Sequence, residues 1–423
     1  MGEGVLTPVT RVISAALASD GVPLDRIADD VGTPAYVYSA GAIRSQFAAM
    51  DAALAAVPHK LHYSVKANGN IAILRLLRSL GSGADIVSSG ELYRAQLAGF
   101  SGADIVFSGV GKSERELAEA VAAHVLLINI ESPREIDVLD RLGRDTGKPV
   151  AIGIRVNPEV AVETPHPYTR TGEKSARFGI PYDQVVPLVQ RIRTLKGVRL
   201  ISLGMHIGSQ VTDSEPYAKG AERLVALTKQ VREGLQYLDV GGGLAVSYGD
   251  GPSGDVQAFG KIATGAAASL GLSLIVEPGR FIVANAGILL TRVLDRKRSA
   301  HKTYVITDAG MTELLRPSHY NAYHRIESVV PKPTRSLVDI CGPVCESGDF
   351  LALDRELDDV EPGELLAVHS VGAYGFVMSS NYNARTRPPE VMTDGGKYAV
   401  VRERETYDDL VRHEVGPADW RSA

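Results

Sequence analysis

The chain has 423 residues, enough for two domains and a large core. Apolar residues make up 44% and charged residues 22%, the balance of an ordinary globular protein, which excludes disordered and fibrous classes. The formal charge of −5 argues against a nucleic-acid-binding protein, which needs a concentrated basic face.

The two cysteines, Cys341 and Cys345, are too few for a disulfide framework, and the other ligands of a structural zinc site are missing. No apolar run reaches transmembrane length, and the first residues lack the basic-then-apolar pattern of a secretory signal. Met1-Gly2 opens like a myristoylation site, but Leu6 stands where serine or threonine is required. No membrane association is expected, and a reducing cytoplasm is the expected compartment.

In chain order, residues 35–38 after Pro34 read as a short strand, and a helical stretch follows over 42–56. From about residue 60 to 280 one pattern repeats. A β-branched run ends in small or polar residues and a segment with helical spacing follows. The runs cover 61–65, 84–87, 105–108, 125–130, 150–156, 200–206, 235–240 and 274–276. Near-continuous apolar strands alternating with helices imply parallel strands covered on both faces. Eight such units are the closure number of a (β/α)8 barrel. An open doubly wound sheet is the alternative, disfavoured because no Gly-x-Gly-x-x-Gly follows the first run. After residue 285 helical periodicity is scarce, and 289–294, 303–307, 336–341, 350–353 and 365–368 read as strands. The basic cluster over 292–302 falls in such a stretch and reads as a solvated strand face. The expected fold is therefore α/β: a (β/α)8 TIM-like barrel over 41–284, with a mainly antiparallel β-domain from 1–40 and 285–423 that includes the strand near residue 35.

Barrel enzymes carry their chemistry at the C-terminal ends of strands, and the polar outliers fall there. The first run ends with Lys66, the second near Asp85 and Ser88, the fifth with Arg155 and Asn157, and the sixth with His206 and Ser209. The seventh leads into Gly241-Gly242-Gly243 and the eighth into Glu277-Pro278-Gly279-Arg280. Each has an ordinary structural explanation: a strand-capping lysine, a core histidine, a tight turn, a turn with an ion pair. Their convergence on one rim is harder to explain by packing. A buried lysine is expected to have a lowered pKa and to act as a nucleophile toward an aldehyde. A glycine-rich turn after strand seven admits a phosphate to backbone N–H groups. A carboxylate such as Glu277 could hold a pyridine nitrogen protonated. Aldehyde, phosphate and pyridine together describe pyridoxal 5′-phosphate.

With these residues in place the chain resembles the fold-type III pyridoxal-phosphate decarboxylases, the alanine-racemase-like barrels, and within them the diaminopimelate decarboxylase family. The resemblance rests on Tyr63–Asn68, His206–Ser209, Gly241–Gly243, Glu277–Arg280, Cys341–Ser347 and Ser380–Asn383, with the segment from His166 to Ile180. It implies that Lys66 anchors the cofactor, with Asp85 among the cofactor-binding residues. It further implies that Glu277 pairs with the pyridine nitrogen and that His206 stacks on the ring. Ser209, Gly243, the Gly279–Arg280 backbone and Tyr374 would bind the phosphate, with Gly242 also among the cofactor-binding residues. Arg280, Arg316, Tyr320 and Tyr374 would hold the substrate's far end, and Glu346 its reacting ammonium. Cys345 would protonate the carbanion across the interface of a homodimer with shared sites. The implied reaction is decarboxylation of meso-2,6-diaminopimelate to L-lysine and CO2, with an amino acid as the small-molecule partner and no metal.

Departures from the family pattern are Ser64 for alanine before Val65-Lys66, Ser318-His319 after Arg316-Pro317, and Arg177 where lysine is common. A sister decarboxylase of another amino acid or of a carrier-bound glutamyl group, an amino-acid racemase, and a non-catalytic regulatory homologue are the alternative functions.

Overall fold

Eight β-branched runs form the eight parallel strands of a closed barrel in the computed structural model, which describes residues 10–13, 16–166, 168, 171–172, 177–249, 251–414 and 416. The strands are β1 His59–Ser64, β2 Gly83–Ile86, β3 Ile105–Phe107, β4 Leu127–Ile130, β5 Val150–Asn157, β6 Val198–Met205, β7 Tyr237–Asp239 and β8 Ser273–Val276. Neighbours in sequence are neighbours in the sheet, and Leu274↔His59 to Val276↔Leu61 pairs β8 with β1 to close the ring. The barrel thereby has no open edge. Val106, Leu127, Ile201 and Ile275 pack together as a buried layer.

The helices begin where polar caps stand. Asn70, Ser88 and Ser132 each accept a backbone N–H of the following first turn, and Ser113 forms a reciprocal capping box with Glu116. Such caps end the strand-to-helix loops sharply and fix the rim. Strand ends shift by one or a few residues from the sequence expectation, and one shift bears on the site. β1 stops at Ser64, and Lys66 lies in a 3-10 turn, Val65–Ala67, rather than at a strand end.

The chain divides into two compact units, one within 40–286 and 372–377 and the other within 1–39, 287–371 and 378–423. The second contains a mixed sheet whose centre is the strand Gly287–Arg298. As expected, the N-terminal strand Ala35–Ser39 joins this sheet, antiparallel to Gly287–Arg298. Most pairings are antiparallel, but Thr303–Thr307 runs parallel to Arg335–Cys341 and Glu390–Asp394 parallel to Ala35–Ser39. Each parallel pair is joined through a long crossover, as parallel pairing demands. Val37, Ile288, Leu290, Ala367 and Val391 form its core with Leu24 and Ile27 of the helix Leu24–Val31. That helix and the small sheet of Thr10–Ile13, Ala16–Ser19 and Val22–Pro23 were not signalled by the sequence pattern. The basic cluster carries ion pairs, Arg296 with Asp359 at 2.8 Å and Lys302 with Asp339 at 2.8 Å, as a solvated strand face should.

Of the segment from His166 to Ile180, residues 167, 169–170 and 173–176 lie outside the described residues, as do Met1, Gly2 and Leu6.

One helix docks backbone to backbone. A Cβ on Gly143, in the helix Pro133–Asp145, would lie 1.8 Å from the Gly197 carbonyl oxygen. In an open helix Gly→Ala stabilises by up to about 1 kcal/mol. At position 143 it should instead cost about 1–3 kcal/mol through overpacking. Urea unfolding of Gly143→Ala checks this, and a variant as stable as the parent would refute the contact.

Candidate active site

The closing seam of the barrel places the first and eighth strand ends side by side, with the Ser64 N–H donating to the Pro278 carbonyl at 3.1 Å. Lys66 Nζ donates to Asp85 Oδ2 at 2.9 Å and to Ser64 Oγ at 3.3 Å, and Ser64 Oγ donates to Asp85 Oδ2 at 2.7 Å. Asp85 is fully buried, whereas the Lys66 side chain keeps 38% of its surface accessible and lines a cavity. Sequence alone predicts that burial lowers the Lys66 pKa, and the structure reverses that expectation. Burial does work against the ammonium, but Asp85 foremost, then the fields of Tyr374 and Glu277, outweigh it and raise the pKa above the ordinary lysine value. Lys66 is an ion-paired ammonium in this state.

The same cavity is lined by Ser64, His206, Ser209, Gly242, Gly243, Glu277, Gly279, Arg280 and Tyr374. His206 Nδ1 accepts the Gly242 N–H at 3.2 Å, which leaves Nε2 to carry the ring proton. Burial first, then Arg155 and Lys66, holds its pKa well below the ordinary histidine value, so the ring is neutral. Gly243 has a φ of +99°, and a Cβ there would lie 2.0 Å from the Gly208 carbonyl oxygen. Only glycine lets the turn after β7 press against the loop after β6. Arg280 Nη2 donates to Ser209 Oγ at 3.0 Å, Nη1 bonds the Tyr248 hydroxyl, and its guanidinium carbon lies 4.7 Å from the Tyr374 ring centroid. Tyr374 is tied to the barrel by its N–H, which donates to the Ala67 carbonyl at 2.9 Å.

Glu277 is buried, and Ser108 Oγ donates to its Oε1 at 3.1 Å. Burial, then Asp239 and Asp85, raises its pKa well above the carboxylate range, and burial pushes Asp239 up to about 6. The two carboxyls share a hydrogen bond and retain a proton. Asp239, Ser108, Asn129 and Tyr248 were not singled out from sequence. The strand-end rule that nominated the other residues applies equally to Ser108, Asn129 and Asp239, at the ends of β3, β4 and β7. Three rim residues that the rule did nominate have structural duties. Arg155 is ion-paired with Glu131 at 2.9 Å, Asn157 Oδ1 accepts the Glu159 N–H, and Ser88 caps a helix.

The remaining expected site residues belong to the other unit. Arg316, buried at the start of the short helix Arg316–Tyr320, donates from Nη1 to His324 Nε2 at 3.0 Å. His324 Nδ1 in turn donates to the His369 carbonyl at 2.8 Å. Cys345 is a free, exposed thiol. The Tyr382 hydroxyl donates to the Glu346 carboxylate, which raises the phenol pKa, and Cys345 adds to that field. Two motifs 34 residues apart in sequence, Cys345-Glu346 and Asn381-Tyr382-Asn383, thus meet in space. A Cβ on Gly348 would lie 3.2 Å from Ser318 Oγ and 3.3 Å from Glu346 Oε1, so the Arg316–Tyr320 helix borders the same cluster.

Comparison with known proteins places the chain in a family. Residues 40–284 match the family model described as pyridoxal-dependent decarboxylase, pyridoxal binding domain. A diaminopimelate decarboxylase of Aquifex aeolicus is 44% identical over 410 residues, covering 96% of this chain and 97% of that one. One from Pseudomonas aeruginosa is 45% identical, covering 94% and 96%. The crystal structure of diaminopimelate decarboxylase from Helicobacter pylori complexed with L-lysine superposes with a TM-score of 0.89 at 37% identity, covering 92% of this chain and 99% of that one.

Beside Lys66, Glu91 is pushed up from 4.5 to about 7, by burial above all. A carboxyl whose folded pKa is raised binds its proton more tightly in the folded state. Stability is therefore lost as pH rises from about 4.5 through about 7 and stays lost above it. Glu91→Gln keeps an oxygen for the Val87 N–H that Glu91 accepts at 2.8 Å. The variant should be more stable than the parent at pH values above about 7, with the difference closing below about 4.5, in thermal melts of the cofactor-free protein.

Proposed function

The chain belongs to the diaminopimelate decarboxylase family of pyridoxal-dependent decarboxylases, and we propose that it converts meso-2,6-diaminopimelate to L-lysine and CO2. The observation that carries this reading is a single cavity walled by an amine, Lys66, a proton-retaining carboxyl, Glu277, and a glycine turn beside Ser209 and Arg280. That donor set fits pyridoxal 5′-phosphate, end for end: amine for aldehyde, carboxyl for ring nitrogen, backbone N–H groups and the Ser209 hydroxyl for phosphate. Bound, the cofactor supplies an aldehyde that takes up amines and a ring that accepts the electron pair left when a bond to the α-carbon breaks.

The residues do the rest. Lys66 provides the anchoring amine, oriented into the cavity by Asp85 and Ser64. Glu277 holds a proton facing the ring nitrogen. Neutral His206, which lines the cavity, would lie against the ring without adding charge to it. Ser209, Gly242, Gly243, Gly279, Arg280 and Tyr374 hold the phosphate. Arg280, Arg316 and Tyr320 take the far end of the substrate, for which the planar guanidinium grips a carboxylate in two places. Glu346 receives the ammonium at the reacting centre, with Tyr382 holding the carboxylate in place. Cys345 donates the proton to the α-carbon after CO2 leaves. A thiol suits that task because its proton is weakly held near neutral pH.

We further infer a homodimer in which Cys345 and Glu346 of one chain serve the cavity of the other. On this reading 41–284 is the cofactor domain and 1–40 with 285–423 the β-domain. Among the described residues no helix is long and apolar enough to cross a membrane, and with only two cysteines the cytoplasm is the proposed compartment.

Incubation of the cofactor-loaded protein with meso-diaminopimelate should yield CO2 and L-lysine in equal amounts by chiral chromatography. Stereochemical change without CO2 would instead establish a racemase. Lys66→Ala and Cys345→Ala should each be inactive alone. Co-expressed, they should recover about a quarter of parental activity, since half of randomly paired dimers hold one intact site of two. No recovery would exclude the shared-site dimer.

A further inference from the structure

Glu277 belongs to a closed circuit of buried side chains at the ends of four strands. Asn129 of β4 donates one amide hydrogen to Ser108 Oγ at 3.1 Å and the other to Asp239 Oδ2 at 3.2 Å. Ser108, having accepted, donates its hydroxyl hydrogen to Glu277 Oε1 at 3.1 Å. Glu277 closes the circuit through its hydrogen bond with Asp239. The Gly241 N–H fills the other Asp239 oxygen at 2.8 Å. All four side chains are buried. A Cβ on Gly204 would lie 2.7 Å from Asp239 Cβ, so the neighbouring strand makes room for this aspartate with a glycine.

The direction of these bonds carries the argument. Both amide hydrogens and the hydroxyl hydrogen are committed toward carboxylate or hydroxyl oxygens. Among the described donors, these bonds leave the Asp239–Glu277 contact to a proton retained by the pair. The charged groups facing Glu277 are Asp239 from β7, Asp85 from β2 and Lys66 from the turn after β1. Lys66 is bound to Asp85 at 2.9 Å, and among the described residues no lysine or arginine is ion-paired with Asp239 or Glu277. Two touching, buried carboxylates cannot both stay ionised without a third party to share a proton.

We propose that Asp239 is a positioning residue for the ring-nitrogen contact. Through Asn129 and Ser108 it fixes the Glu277 carboxyl. Its own charge, added to that of Glu277, raises the affinity of this end of the cavity for a proton, which the pyridine nitrogen shares. This inference rests on the reading that Glu277 faces that nitrogen. No proton is created or lost: the one retained by the carboxyl pair is the one that Glu277 and the nitrogen hold between them.

The test is 15N NMR of the holoenzyme loaded with ring-labelled pyridoxal phosphate, titrated between about pH 6 and 9. In the parent the nitrogen should remain protonated throughout. In Asp239→Asn it should lose its proton within that range, with kcat down about tenfold, the scale of an outer-layer partner, and KM within about twofold. Ser108→Ala cuts the circuit from the other side, should move the resonance in the same direction, and serves where Asp239→Asn fails to fold. Parental titrations in Asp239→Asn and Ser108→Ala, beside a deprotonated nitrogen in Glu277→Gln, would overturn the role of Asp239 and leave that of Glu277 intact. A nitrogen still protonated in Glu277→Gln would overturn both.

Discussion

The pairing of β8 with β1 is the constraint on which the site depends. It joins residues more than 200 apart in sequence and closes the sheet on itself, so that eight strand ends face one mouth. Without that seam Lys66 and Glu277 would have no reason to share a cavity. With it, the loops after the first, sixth, seventh and eighth strands supply an amine, an imidazole, a glycine turn and a carboxyl to one space.

Closure also creates an electrostatic problem. Asp85, Asp239 and Glu277 are brought together out of water with one ammonium, Lys66, among them. Lys66 pairs with Asp85, which turns a lysine that burial would have neutralised into a stable cation. The remaining two carboxyls keep a proton. The charge state on the two sides of the cavity is thus set by partner choice rather than by depth of burial. A proton-bearing carboxyl suits a cofactor with a basic ring nitrogen, and Asp85, 2.9 Å from Lys66 Nζ, is placed to take the proton that the ammonium must lose before it can bond an aldehyde.

In the β-unit, polar side chains are held in place by neighbours from elsewhere in the chain. Cys345 and Glu346 lie on a loop tied down by Asp349, whose carboxylate accepts the Val344 and Met311 N–H groups at 2.6 Å each. Tyr382 restrains the Glu346 carboxylate, and His324 restrains Arg316. Side chains braced in this way lose less freedom when they bind a ligand, which is where much of the cost of binding otherwise lies.

Much of the fold was legible because its signals are local. Alternating apolar runs and helical segments fixed eight strand–helix units, since periodicity depends only on neighbouring residues. The rim residues Lys66, His206, Glu277 and the Gly241–Gly243 turn were legible for the same reason, as polar or glycine breaks at the ends of apolar runs. The small N-terminal sheet was not, because its strands are too short to show a period. Nor could sequence report the sign of the Lys66 pKa shift, the proton held between Asp239 and Glu277, or the meeting of Tyr382 with Glu346. Each is set by a partner brought from elsewhere in the chain, and interaction between charges depends on distance in space. The sequence by itself determined the architecture and the chemical inventory of the site. Only the tertiary structure decided the charge state of each group, because closure of the barrel chose which charges became neighbours.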